Sequence, residues 1–177
     1  MLQVLETKPG LQFGSFLYRS DLFNQEALFK HWIQYFGPSF CFSPSQNPLA
    51  PYYAKEMGEG SPLKRFFVVT TSTFKRDDLL ASKLLAIEWE RSWSVEGKRT
   101  VNLDVGMMAA ENFILATTKN YSHRVYLDQD IFADLTYYFH QGKLQALPWT
   151  YPDYLDEEKI EFFTWCRSYL LEQLSNL

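Results

Sequence analysis

The chain has 177 residues, which fits one domain, and 17 Lys+Arg against 21 Asp+Glu give a net charge of −4. That balance excludes a generally basic surface for a phosphate backbone, so no nucleic-acid partner is expected. No run approaches the ~20 apolar residues needed to span a bilayer, while 5 Trp, 11 Tyr and 15 Phe supply ample material for a single core.

The opening MLQVLETKPG lacks a basic segment followed by an apolar one, so no export is expected and the chain reads as cytoplasmic. Apolar periodicity predicts a strand over 13–18, then a helix capped by Asn24 with Leu28, Phe29, Trp32, Ile33 and Phe36 on one face. Gly37 and Pro38 stop that helix, and a short strand over 40–42 follows. Residues 43–62 hold Pro44, Pro48, Pro51 and Pro62 and read as a long Pro-rich loop.

A second unit repeats the pattern, with a strand over 65–70, a helix from 76 to about 94 and a strand over 100–104. Leu80, Leu84 and Ile87 are expected to face inward, which leaves Arg91 oddly placed in the middle of their stripe. Two β-α-β units predict an α+β domain with a mostly antiparallel sheet and a ferredoxin-like core. Strands over 112–118, 123–127 and 131–139 extend it, the last two as a C-terminal hairpin around 128–130. A terminal helix capped by Asp156 carries Ile160, Phe163, Cys166, Leu170 and Leu174 on one stripe. The domain is expected to run over 1–177. Cys41 and Cys166 have no metal-site or redox spacing, and Cys166 reads as a buried hydrophobe.

Strand parity sorts the polar residues. Val101, Leu103 and Val105 share one face and Asn102 and Asp104 the other. In the hairpin Val125, Leu127, Ile131, Ala133 and Leu135 form the apolar face, and pairing of Leu127 with Ile131 sets Arg124 opposite Asp134. An outer, solvated sheet face explains such alternation. The concentration of Asn102, Asp104, Lys119, His123, Arg124 and Asp134 in one short segment points instead to a site. No P-loop, G-x-G-x-x-G turn, H-E-x-x-H or G-x-S-x-G sequence is present.

At 102–106 (NLDVG), 116–126 (ATTKNYSHRVY) and 150–154 (TYPDY), with 52–58 (YYAKEMG), the chain resembles a prokaryotic family known as a domain of unknown function, family 4416. The resemblance implies one compact domain with no established activity. The matching polar positions are Glu56, Glu90, Arg99, Asn102, Asp104, Lys119, His123, Arg124 and Asp153. The chain departs from the family's pattern at Val105, Ala86, Ile87, Asp134 and in the 128–130 turn.

Two functions are weighed. In the first, the chain binds or acts on an anionic, phosphorylated small molecule or nucleotide. Lys119 and Arg124 hold the anion with Asn102 and Asp153. Asp104 acts as a general base or as a ligand for a divalent cation, His123 carries a proton, and Glu56 closes over the site from the loop. In the second, an aromatic-rich surface makes the chain a non-catalytic interaction module or regulatory subunit, with the 43–62 loop as its contact. A basic stripe of Lys64, Arg65, Lys75 and Arg76 reads more simply as solvated element ends. The first reading requires Asp104, Lys119, His123 and Arg124 to converge in one cleft, with Glu56 or Asp153 at its rim. The competing arrangement pairs Arg124 with Asp134 on an open sheet face.

Overall fold

The computed structural model describes residues 7–46 and 50–176; Pro48 and residues 1–6 lie outside them. In chain order the elements are β1 (Gly10–Arg19), α1 (Gln25–Phe36), β2 (Ser39–Phe42), α2 (Ala50–Met57), β3 (Leu63–Phe74), α3 (Leu79–Trp93), β4 (Val101–Met108), β5 (Asn112–Thr117), β6 (Arg124–Asp128), β7 (Ile131–His140), β8 (Lys143–Ala146) and α4 (Glu157–Ser175). The strands form one antiparallel sheet in the order β2-β3-β1-β4-β5-β7-β6, with β8 on the far part of β7. The architecture is therefore α+β, as expected. None of the described helices is long and apolar enough to cross a membrane.

Both faces of the sheet are covered, so the central strands are apolar on both sides. Phe16, Phe66, Val68, Val101, Leu103 and Val105 meet α1 and α3 through Leu28, Trp32, Leu79, Ala86 and Trp89. Leu11, Phe13, Phe67, Val69, Phe113 and Tyr137 meet α4 through Phe163, Cys166 and Leu170. Each of these large side chains contributes ~1.5–3 kcal/mol by leaving water. β1 runs through the middle of the sheet, and at Gly14 an added Cβ would lie 2.6 Å from Cζ3 of Trp32. The close seating of α1 thus depends on a bare backbone there.

Local signals act as the sequence predicts at α1. The Asn24 side chain accepts the Ala27 N–H at 2.8 Å, and the Gly37 N–H returns to the Ile33 carbonyl at a φ of 83°.

Three expectations need correction. The 43–62 stretch contains α2, because Pro51 falls in its first turn, where a missing N–H costs nothing. In α3 the buried residues are Leu79, Ser82, Lys83, Ala86 and Trp89, while Leu80, Leu84 and Ile87 pack against the same core from a half-buried flank and Arg91 is exposed. The helix is turned by about one residue, ~100°, from the expected orientation. At the β6–β7 hairpin Arg124 does face Asp134, but Asp128 rather than Leu127 pairs with Ile131. The turn is two residues, Gln129 and Asp130, both at positive φ, with an irregularity at Leu127 that restores the register. Val125 and Leu127 are exposed rather than core, because β6 ends the sheet.

Candidate functional site

The sheet opens between β4 and β5. Their pairing runs from Met108 with Phe113 to Val105 with Ala116 and stops there. The first half of β4 stays bonded to β1, and Thr117 at the end of β5 stays bonded to β7. A strand edge freed in this way must find other partners, and α3 supplies them. The Leu103 N–H donates to Glu90 Oε1 at 2.6 Å, and Lys83 Nζ donates to the Leu103 carbonyl at 3.4 Å. The polar residues on the buried face of α3 thereby replace a missing strand.

The gap is a cavity of about 110 Å³. Lys83 and Glu90 enter it from α3, Arg65 from β3, Asn102 and Asp104 from β4, and Arg99 from the preceding turn. Lys119, Arg124 and Asp134 close the side formed by β5, β6 and β7, and Tyr53, Tyr151 and Tyr154 add phenol groups. Burial, reinforced by Asp104, pushes the Tyr53 and Tyr154 hydroxyls up from their ordinary range, so they remain neutral donors.

Most acceptors in the cavity are already engaged. Arg99 Nη1 donates to Asn102 Oδ1 at 2.8 Å, and Asn102 Nδ2 donates to Asp104 Oδ2 at 2.9 Å. Arg124 Nε donates to Asp134 Oδ2 at 2.7 Å, while its Nη1 and Nη2 reach the Lys119 carbonyl and the Tyr151 hydroxyl, both at 2.8 Å. Burial raises the Glu90 pKa, an effect that Lys83, the Leu103 N–H and Arg99 oppose.

The donors are not all engaged. Arg65 binds Asp153 Oδ2 through Nη1 at 2.5 Å, but its Nε and Nη2 have no hydrogen-bond partner among the described residues. Lys83, only 7% exposed, holds a single long bond, to Leu103, among the described residues. Buried cationic N–H groups without acceptors carry a large desolvation cost.

Of the residues singled out from sequence, Asn102, Asp104, Lys119 and Arg124 meet in this cavity. Glu56 stands at its edge, paired with Arg99. His123 does not line it. Its ring lies between Tyr121 and Trp149, at centroid distances of 6.0 and 4.8 Å, with Nε2 3.6 Å from Asp134 Oδ2. Asp153 is not at the rim either. The Pro152–Tyr154 turn tucks it under the start of α4, fully buried, with Lys159 Nζ 3.5 Å from its Oδ1. The Arg124–Asp134 pair is not on an open face, since the two side chains are 3% and 4% exposed.

Sequence reasoning missed Arg65 and Lys83. For Arg65 the signal was parity, because it shares a strand face with Phe67 and Val69. For Lys83 and Glu90 it was their seven-residue spacing on the face that also carries Ala86. Among the described residues, no group of three or more His, Cys, Asp or Glu side chains is placed to hold a metal ion.

The family described as a domain of unknown function (DUF4416) matches residues 9–169. No curated protein matches the chain, and no solved structure does.

Proposed function

The chain belongs to the DUF4416 family, and we propose that it binds a small phosphorylated anion in the gap between β4 and β5. One observation carries this reading: the cavity holds buried cationic donors, on Arg65 and Lys83, that the described residues leave short of acceptors. A phosphate oxygen supplies what they lack, and a guanidinium with two free N–H directions suits it. Lys119 and Arg99 add charge from opposite sides of the gap, and Asp104 offers an acceptor to a ligand hydroxyl. His123 supports binding by standing against Asp134, which holds Arg124, rather than by carrying a proton to the ligand. The strand order β2-β3-β1-β4, with α1 and α3 on one face, supports a ferredoxin-like core beneath the site.

The test is calorimetric titration of inorganic phosphate and methyl phosphate into the parent, Lys83→Met and Lys119→Ala. Binding to the parent is expected, with loss in Lys83→Met and a weaker signal in Lys119→Ala, while circular dichroism stays unchanged. Equal binding by all three proteins would refute the assignment. Arg124→Ala is unsuitable, because it strands the buried Asp134 carboxylate.

A second reading, a protein-interaction module, is favoured by β6. This last strand of the sheet exposes Val125, Tyr126 and Leu127 at 67%, 56% and 39%. Light scattering distinguishes it, since a strict monomer counts against self-association.

A further inference from the structure

We infer that the anion is the head of a longer ligand whose body is uncharged and aliphatic and lies along the flank of α3. This inference rests on the anion-binding reading above and names the class of ligand that it admits. The inner cavity, about 110 Å³, is small beside the ~300–1,000 Å³ of ordinary small-molecule sites. It has room for a phosphate and little more.

The inner cavity adjoins a second one of about 410 Å³, and the two share Ile87 and Thr118 as walls. A ligand too large for the gap would extend past Ile87 and Thr118, between α3 and the start of β7.

The chemistry of that way out is different. Leu84 and Ile87, three residues apart on one flank of α3, face Ile131 at the start of β7. Ile131 is buried and the other two half-buried, so the strip is apolar next to the head site. Farther out stand Glu88, Arg91 and Asp130, all exposed. One guanidinium beside two carboxylates is a poor seat for a second anion. A ligand charged at both ends, or a polyphosphate, is therefore disfavoured there, and an alkyl chain is favoured. The length is bounded as well. α3 rises ~1.5 Å per residue, so the apolar span from Ile87 to Leu84 covers about 4.5 Å, room for roughly three or four methylenes. The flank that sequence periodicity marks as a core stripe, with Arg91 out of place inside it, is on this account the wall of a binding groove.

Titration calorimetry with methyl, propyl and hexyl phosphate tests the inference in the parent, in Leu84→Trp and in Leu84→Gln. Leu84 lines only the outer cavity. Affinity in the parent should rise about fourfold per added methylene as each leaves water. Both variants should flatten that rise while methyl phosphate binds as in the parent, the first by filling the groove and the second by making it polar. A flat series in the parent, or a rise that persists in both variants, overturns the inference and leaves the anion site standing. Failure of every member, methyl phosphate included, overturns the anion reading and the inference together.

Discussion

Replacing Asp153 by asparagine removes one negative charge from between two buried cations. Its Oδ2 lies 2.5 Å from Arg65 Nη1 and its Oδ1 3.5 Å from Lys159 Nζ, and the three side chains are between 0% and 2% exposed. Lys159 keeps Asp156 as a partner, but Arg65 loses its ion-pair partner. Breaking a buried pair from one side costs ~3–5 kcal/mol, because the remaining charge stays desolvated. For a chain of this length that is a fall in melting temperature on the order of 6–20 °C. Urea unfolding followed by tryptophan fluorescence gives the free energy directly. The double variant Arg65→Met, Asp153→Leu should recover most of the loss, since it removes both members and leaves an apolar contact instead. An Asp153→Asn protein within about 1 kcal/mol of the parent would refute the electrostatic account. So would a double variant no more stable than the single one.

Gly14→Ala should cost about 1–3 kcal/mol in the same assay. The new methyl group meets Trp32, whose indole N–H is anchored to Ser39 Oγ at 2.9 Å, so a stability equal to the parent's would mean that α1 shifts freely. Burial raises the Glu90 pKa, so the folded state holds more protons than the unfolded one from the ordinary carboxylate range, ~4.3, up to the raised value. Stability should therefore fall as pH rises through that window. Glu90→Gln, which can still accept the Leu103 N–H, should remove the fall, and an unchanged slope would place its origin elsewhere. Finally, a thiol reagent should modify the exposed Cys41 in the native protein and reach Cys166 only on unfolding; two equivalents reacting under native conditions would contradict the packing of α4.

Where a local signal and the tertiary structure agree, the sequence is a good guide. Asn24 and Asp156 cap their helices because a side-chain carbonyl or carboxylate meets an N–H three residues on, whatever lies around them. The Arg124–Asp134 register follows from a short connection, and it holds even though the turn is tighter than the sequence suggests. The sequence misleads where distant packing decides. Nothing local reveals that β5 leaves β4 after Ala116, and so nothing local explains why Lys83 and Glu90 belong on the inner face of α3 while Leu84 does not. Helix periodicity assigns the larger aliphatic residues to the core, and here the backbone of Leu103 needs a donor and an acceptor instead. Asp153 reads as a ligand-binding carboxylate because the partners that make it structural, Arg65 and Lys159, lie far from it in sequence or on the next helix.

The opening between β4 and β5 also bears on how the domain comes apart. Among the described residues, the two halves of the sheet are joined in register only by Val105 to Met108 against Phe113 to Ala116. Such a seam is a natural boundary between cooperative units, which can open with a lower free energy than the whole. Arg65 and Arg99 belong to one half, and Lys119 and Arg124 to the other. An anion held by both sets, as proposed, would cross the seam and couple the unfolding of one half to that of the other. Amide exchange in β5 and β7 would then slow together with that in β1 and β4, so that the bound ligand sharpens the domain's melting as well as raising its temperature.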